Sequence, residues 1–296
     1  MLFAPVRHLG LSFVLLGLLS GCGREPVAPG DPVAAVESLT EAIKDNDLVR
    51  YSKLSLPPKL HTQMEQRWNA ELAKAPALTE VQRKDHARYM KQMMEPGAEA
   101  KLFVRYESKL KKFQSEINSQ WPVMKGAAQI FVTSAIQANE DLTLAERDHA
   151  KAVSQAILQW LKPAIFSDKQ KARKAIAVIC KTAREVNLPE AEQIHQLSMI
   201  GSLEKGSIAL KGLKDIARIY GADIDESLDN LEAKLVDADA SGNEATVEVN
   251  YVLLNKDISF NIEMTRIDGR WYPADSVHDA RQELKQVLPA AAVSAP

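Results

Sequence analysis

Residues 244–273, EATVEVNYVLLNKDISFNIEMTRIDGRWYP, decide the fold because apolar and polar side chains alternate along most of this stretch. One apolar row runs from Val247 to Tyr251 and a second runs from Ile258 to Met264. A period of two residues is that of a β-strand with one buried face. These residues therefore predict at least two strands whose apolar sides share a face.

Turn sequences flank the two rows, at Ser241-Gly242-Asn243, Asn255-Lys256-Asp257 and Asp268-Gly269. They predict an antiparallel meander of three or four strands that ends near residues 270–272. A small sheet with one apolar face is marginally stable in water, so helices must cover it. We therefore expect an α+β fold in which this sheet packs on helices from the rest of the chain.

The chain before the sheet carries helix signals over residues 31–235. Asp31-Pro32 supplies an N-cap residue followed by proline at the first helical position. Hydroxyls placed three residues before Glu or Gln predict capping boxes at Thr79, Thr143 and Ser167. Helices are expected over about residues 31–45, 57–74, 143–162, 168–186, 190–202, 205–219 and 223–235. Another is expected to begin at Thr79, and an amphipathic stretch with apolar residues from Leu102 to Ile117 is expected in the helix that Pro122 ends.

Pro122 is predicted to end one helix and to begin the next, over residues 123–138. That segment is apolar nearly all round, so we expect it at the centre of the helical region. The sheet and a short helix near residues 276–287 are expected to occupy residues 236–289. Residues 290–296 are expected to form a disordered tail.

The first 22 residues carry the pattern of an export signal. Arg7 and His8 precede an apolar run at residues 9–19. At about 1.5 Å per residue this run covers roughly 16 Å, which is too short for a hydrocarbon core of about 30 Å. The sequence therefore favours a cleaved signal over a membrane-spanning helix.

Leu19-Ser20-Gly21-Cys22 resembles the lipobox of bacterial lipoproteins. The resemblance implies a signal peptide over residues 1–21, diacylglycerol on the sulfur of Cys22 and a further acyl chain on its amino group. Two or more acyl chains, at about 0.8 kcal/mol per buried CH₂, hold a protein on a membrane. Gly23 in place of aspartate implies the outer membrane, with the body facing the periplasm. An ordinary secretory signal with a coincidental cysteine is the alternative.

Residues 22–30 are predicted to form a lipidated, flexible tether. With Cys22 acylated, Cys180 has no partner for an intramolecular disulfide, even in an oxidising periplasm. Cys180 follows the apolar residues 175–179 in a predicted helix. We expect a buried, inert thiol, so that stability comes from packing.

The two ends of the body resemble small NTF2-like lipoproteins, whose curved sheet wraps a helix. The resemblance lies in the first helix, which ends in Lys44-Asp45-Asn46-Asp47, and in the closing hairpin at residues 268–272. It covers these two ends only and requires a long helical insertion between them. It implies that the sheet and helices enclose a cavity for a small molecule or a lipid.

Two Glu-x-x-His pairs, Glu146 with His149 and Glu192 with His195, have the spacing found in di-iron carboxylate sites. Chance is a serious rival, and both glutamates lie in predicted first turns of helices rather than within a bundle. We therefore predict no metal site and no cofactor. His149 is expected to be a hydrogen-bonded, partly buried imidazole.

Two further groups of residues have open interpretations. Lys211, Lys214 and Arg218 form a basic stripe on one predicted helix, which either lies in solvent or contacts anionic lipid or an acidic protein. Trp271 and Tyr272 either line a pocket or close the core, and aromatic residues at a hairpin start more often close a core.

Composition and motifs limit the function. With 37 Lys and Arg against 39 Asp and Glu, the net charge of −2 gives no electrostatic reason to expect nucleic acid as a partner. Phosphate-loop, nucleophile-elbow, His-Glu-x-x-His and Cys-x-x-Cys patterns do not occur. We expect a non-enzymatic lipoprotein that binds another envelope or periplasmic protein, as an immunity protein against a toxin or in envelope assembly. The alternatives are a small-molecule or lipid-binding lipoprotein with an NTF2-like cavity, and an enzyme that uses His149 and His195.

Overall fold

The computed structural model describes residues 26–139 and 142–286, and the predicted signal peptide, Cys22 and the predicted tail lie outside these residues. The first eleven helices are α1 (Pro32–Lys44), α2 (Leu48–Ser55), α3 (Pro58–Leu72), α4 (Glu80–Met94), α5 (Ala98–Ala138), α6 (Leu144–Trp160), α7 (Pro163–Ser167), α8 (Lys169–Val186), α9 (Ala191–Ile194), α10 (Met199–Ile219) and α11 (Ile224–Asp229). The strands β1 (Glu232–Ala238), β2 (Glu244–Leu253), β3 (Lys256–Ile267) and β4 (Arg270–Pro273) follow, and α12 (Ala274–Lys285) comes last. The fold is α+β, as predicted.

The sheet is an antiparallel meander in the order β1-β2-β3-β4. β2 pairs with β3 along its whole length, and Val247 lies opposite Ile262. Asp268 and Gly269, between β3 and β4, both have positive φ, as a two-residue hairpin turn requires. The alternation of the sequence places the buried residues on one face: Ala245, Val247, Val249, Ile258, Ile262 and Met264.

α1 packs against β1, β2 and β4 and supplies the other half of the main core. Asp31 caps this helix, because its side chain accepts a hydrogen bond from the backbone N–H of Ala34 at 2.9 Å. Trp271 and Tyr272 belong to the same core and are 6% and 2% exposed. Of their two interpretations, core closure is the correct one.

The predicted tether is held against the body at its described end. Ala28 is buried, and the carbonyl of Pro29 accepts a hydrogen bond from the backbone N–H of Trp271 at 3.0 Å. The guanidinium of Arg270 donates to the carbonyl of Ala28 at 2.8 Å. These backbone groups are satisfied by β4, so residues 28 and 29 are not part of a free linker.

α5 is one continuous helix of 41 residues, whereas the sequence predicted a break at Pro122. A proline in a helix interior removes one backbone hydrogen bond and costs about 3 kcal/mol. Packing of α5 against α6, α7 and α8 offsets this cost and keeps the helix intact. The prediction of a central segment over residues 123–138 is also wrong, since Val123 is 76%, Ile130 70% and Phe131 74% exposed.

Other boundaries differ from the predicted ones for local reasons. α2 is a short helix that was not predicted, and Asp47 caps it by accepting a hydrogen bond from the backbone N–H of Arg50. The predicted helix over 223–235 ends at Asp229, and β1 begins at Glu232 because Leu235 and Ala233 fit the period of the neighbouring strand.

The predicted capping boxes are confirmed at two of three positions. Thr79 and Thr143 each bond the backbone N–H three residues later, and the Gln or Glu there bonds back. At the third position Asp168 is the cap instead of Ser167, because its carboxylate accepts from the N–H groups of Gln170 and Lys171. The helix predicted over 190–202 is divided into α9 and the start of α10.

The predicted basic stripe is largely built into the fold. Lys214 is 2% exposed, and its ammonium donates to the carbonyls of Ile43 at 2.7 Å and Lys44 at 3.2 Å. These carbonyls end α1 and have no partner within that helix. The same ammonium lies 2.7 Å from a carboxylate oxygen of Asp225. Neither interpretation of the stripe holds for Lys214, whose role is structural.

Arg218, the last residue of the stripe, lies within an acidic cluster. Its guanidinium contacts the carboxylates of Asp215 at 3.1 Å, Asp223 at 2.9 Å and Asp225 at 2.6 Å. Lys211 is exposed. The positive charges of Lys214 and Arg218 are therefore compensated by neighbouring carboxylates.

Cys180 on α8 is buried, as predicted. Burial raises the pKa of its thiol, and the nearby carboxylate of Glu99 raises it further. The thiolate is the reactive form of cysteine, so this thiol is held in its unreactive form.

Candidate functional site

A cavity of about 950 Å³ lies between the sheet and the helices that cover the part of it formed by β2 and β3. Residues of α2, α3, α6, α10, α11 and α12 complete its walls. Most of the lining is apolar, and it includes Leu56, Met64, Val153, Leu203, Leu231 and Leu253. Ligand pockets of proteins are mostly apolar clefts of about 300–1,000 Å³, and this cavity lies within that range.

The cavity exists because helices from distant parts of the chain cover the sheet. α6 packs on β3, whereas α1 packs on β1, β2 and β4. α12 contacts β3, β4 and α3 and closes the other side. Side chains do not fill the space between these helices and the sheet, and this space is the cavity.

Three rings form one wall of the cavity. The imidazole of His149 on α6 stacks on Phe260 of β3, with 3.9 Å between ring centroids and 13° between planes. Its Nε2 lies 2.7 Å from the hydroxyl of Tyr251 on β2. Tyr251 meets Phe260 edge-on, with centroids 6.3 Å apart. The cluster joins α6 to the sheet, and it confirms the prediction of a hydrogen-bonded, partly buried His149.

Both titratable members of this wall are uncharged near neutral pH. Burial lowers the pKa of His149 from 6.5 to about 4. Burial also raises the pKa of Tyr251. The contact at 2.7 Å is therefore a hydrogen bond between a neutral imidazole and a neutral phenol. Such a pair suits the recognition of an apolar ligand better than the transfer of a proton near pH 7.

A second histidine lies behind the wall formed by α2 and α3. Ser52 lines the cavity, and its hydroxyl oxygen lies 3.1 Å from Nε2 of His61. Both residues are buried at 6% exposure. The hydrogen bond joins α2 to α3 and satisfies polar atoms that would otherwise be costly to bury.

Acidic side chains form part of the cavity wall. The acidic residues that line it are Glu71, Glu146, Glu263, Asp275, Asp279 and Glu283. Glu71 and Glu283 lie 2.9 Å and 3.6 Å from the guanidinium of Arg67. Glu146 accepts from both the backbone N–H and the hydroxyl of Thr143 in the capping box.

Asp275 lies in the first turn of α12 and has a raised pKa. Burial raises its pKa, and repulsion by Glu146, Asp279 and Glu263 raises it further. Glu146, Asp279 and Glu263 are near enough to Asp275 to interact with it electrostatically, and this cluster at the cavity wall combines residues from α6, β3 and α12.

The two predicted Glu-x-x-His pairs have different positions in the fold. Glu146 and His149 both line the cavity. Glu192 instead lies 3.6 Å from the guanidinium of Arg83. Within residues 26–139 and 142–286, no group of three or more His, Cys, Asp or Glu side chains is placed to hold a metal ion.

Several lining residues were not identified from the sequence as site residues. Tyr251 and Phe260 were assigned to the apolar face of the sheet, which is correct, but their contact with His149 depends on α6. Asp275 and Asp279 lie four residues apart and thus share a helix face. Their spacing, on a helix packed against an apolar sheet, is the sequence signal that could have indicated these two site residues.

Comparison with protein-family models, with curated protein sequences and with solved structures found no match for the chain. Among the helices that the structure describes, none is both long enough and apolar enough to cross a bilayer.

Proposed function

We propose that the protein is a non-enzymatic, lipid-anchored periplasmic protein that binds an apolar small molecule or lipid in the cavity between α6, α12 and the sheet. The observation that carries this proposal is the apolar cavity of about 950 Å³. The cavity favours binding of a small molecule or lipid over binding of another protein as the main function. The polar groups of the cavity wall agree with binding, because His149 and Glu146 are engaged by Tyr251 and Thr143.

Burial of apolar ligand surface supplies the affinity in this proposal. Each Å² of apolar surface removed from water contributes about 25 cal/mol, less the cost of immobilising the ligand. The Tyr251 and His149 pair offers one hydrogen-bonding position at the wall. Trp68 is already tied by its indole N–H to the carbonyl of Leu197 at 3.0 Å, so it acts as a rigid part of the lining.

Binding of a neutral fluorescent probe, N-phenyl-1-naphthylamine, tests the cavity. The wild-type protein should enhance the fluorescence of the probe in a saturable manner. Ala150→Trp places an indole in the cavity lining and should weaken this binding strongly. Ala100→Trp, at an exposed position of α5, is the matched control and should bind as the wild type does. Equal binding by both variants would contradict the proposal.

The anchor is a separate part of the proposal, supported by the resemblance of residues 19–22 to a lipobox. We propose that Cys22 carries the acyl chains and that the body faces the periplasm from the outer membrane. In a Gram-negative host, globomycin should cause accumulation of a larger precursor. Cys22→Ser should move the protein from the membrane fraction to the soluble fraction. Membrane association that survives this substitution would contradict the anchor.

A protein partner is the second candidate function, and the exposed face of α5 favours it. Val123, Ile130 and Phe131 are more than two thirds exposed, and contiguous apolar surface of this kind often marks a binding site. A photo-crosslinker at position 127, on the same face, should yield one specific adduct in envelopes. Ile130→Glu with Phe131→Glu should abolish the adduct, and Val81→Glu on α4 should not. An adduct that survives the double substitution would exclude this face.

A further inference from the structure

All charged residues among the described residues that line the cavity are acidic, six in number, and no lysine or arginine lines it. A cleft whose walls carry one sign of charge concentrates the field inside it and attracts ions of the opposite sign. The protein as a whole carries a net charge of −2, so this bias is a property of the cavity and not of the chain.

Two of these carboxylates are paired with a cation. The guanidinium of Arg67, which does not line the cavity, contacts Glu71 and Glu283. Glu146, Glu263 and Asp275 line the cavity as well. Glu146 and Glu263 accept hydrogen bonds from the hydroxyls of Thr143 and Thr246, which carry no charge. Their negative charge is thus not cancelled by these partners.

These carboxylates come together from three elements. Asp275 and Asp279 lie one turn apart on α12, Glu146 lies in the first turn of α6, and Glu263 lies on β3. β3 packs against both helices, and all four carboxylates line the cavity between these elements. Within the described residues Asp275 makes no hydrogen bond or ion pair, although it is partly buried. A partly buried cluster of like charges is stabilised when a cation binds between its members.

We propose that the ligand of the cavity is an amphiphilic cation, an apolar molecule that carries an amine or quaternary ammonium group. This inference rests on the proposed ligand-binding function and adds the chemical class of the ligand. The apolar body occupies the space lined by Leu231, Leu203 and their neighbours. The cationic group lies between Asp275 and Glu146, where its attraction to the carboxylates is stronger than it would be in bulk water.

Displacement of N-phenyl-1-naphthylamine by three surfactants with the same dodecyl chain tests the charge preference. Dodecyltrimethylammonium is cationic, triethylene glycol monododecyl ether is neutral and dodecanoate is anionic, all used below their micellar concentrations. We expect the cation to bind about tenfold more tightly than the ether at low salt, a factor that one ion pair between partly exposed charges can supply. Dodecanoate should bind most weakly. The preference should shrink at about 1 M salt, where the Debye length is about 3 Å.

Charge-removing variants assign the preference to the cluster. Asp275→Asn combined with Glu146→Gln removes two charges, and glutamine at position 146 can still complete the capping box. This double variant should bind the cation and the ether equally, with the affinity for the ether unchanged. Asp257→Asn removes one charge at an exposed position of β3 and should keep the preference.

The outcomes separate this inference from the proposed function. Equal affinity of the wild type for the cation and the ether, or a preference for dodecanoate, would overturn the cationic ligand and leave the cavity proposal supported. A cation preference that persists in the double variant would also overturn the inference. If the naphthylamine probe does not bind to the wild type, the proposed function itself fails.

Discussion

Acidification should destabilise the protein through His149 before most carboxylates titrate. The pKa of this imidazole is lowered from 6.5 to about 4 by burial against Phe260 and Tyr251. The unfolded chain therefore takes up a proton between these pH values and the folded chain does not. Stability from this residue is fully present above pH 6.5 and is lost as pH falls toward 4. At about 1.4 kcal/mol per pH unit, the total loss amounts to about 3 kcal/mol.

Urea denaturation of the wild type and two variants at pH 7, 6, 5 and 4 measures this loss. His149→Gln removes the titratable ring and keeps a hydrogen-bond donor for Tyr251. Between pH 7 and pH 4 the free energy of unfolding of this variant should therefore fall by about 3 kcal/mol less than that of the wild type. His278→Gln, at an exposed position, should follow the wild type. A proton NMR titration should place the pKa of His149 below 5. A pKa near 6.5, or the same pH dependence in His149→Gln, would refute the buried neutral imidazole.

Three further predictions concern stability and are measured by urea or thermal denaturation. Lys214→Met should lower the free energy of unfolding by about 3 kcal/mol, because the end carbonyls of α1 and the carboxylate of Asp225 lose a buried cation. An unchanged denaturation midpoint would mean that these groups find other partners. Gly212→Ala should cost about 1–3 kcal/mol, since the new Cβ would overlap the hydroxyl of Thr182, whereas Gly126→Ala meets open space within a helix and should gain up to about 1 kcal/mol. A stabilised Gly212→Ala would contradict the close approach of α10 to α8. Thr143→Ala should cost about 1 kcal/mol by removing the cap of α6 and should weaken probe binding in the cavity that α6 lines.

The sheet could be predicted because its signal is local. Alternation along residues 244–265 and the turn at Asp268-Gly269 determine which face is buried and where the chain reverses, and neighbouring strands pair in sequence order. Capping boxes at Thr79 and Thr143 are likewise confined to four residues each. Features of this kind need no knowledge of the distant chain.

Burial could not be predicted where it depends on distant partners. Lys214 belongs to a basic stripe in the sequence, but the carbonyl that it binds lies 171 residues away at the end of α1. The opposite error occurred in α5, whose apolar residues 123–138 predicted a central helix. These residues have apolar side chains on every side, and periodicity then gives no information about which side is covered. Phe131 is in fact exposed.

The cavity also depends on contacts between distant parts of the chain, and therefore no sequence motif predicts it. Two parts of the chain that are adjacent in sequence, β2 and β3, supply Tyr251 and Phe260, and the central helical region supplies His149 on α6. The ring contacts hold α6 over β3, whereas α1 packs on β1, β2 and β4. Neither helix therefore fills the space between them. α6 covers β3, and it brings Glu146 close enough to Asp275 to raise the pKa of that carboxyl. In the proposed function the helical region therefore sets ligand selectivity, because it supplies the ring of His149 and the charge of Glu146 to a cavity that the sheet alone would leave open.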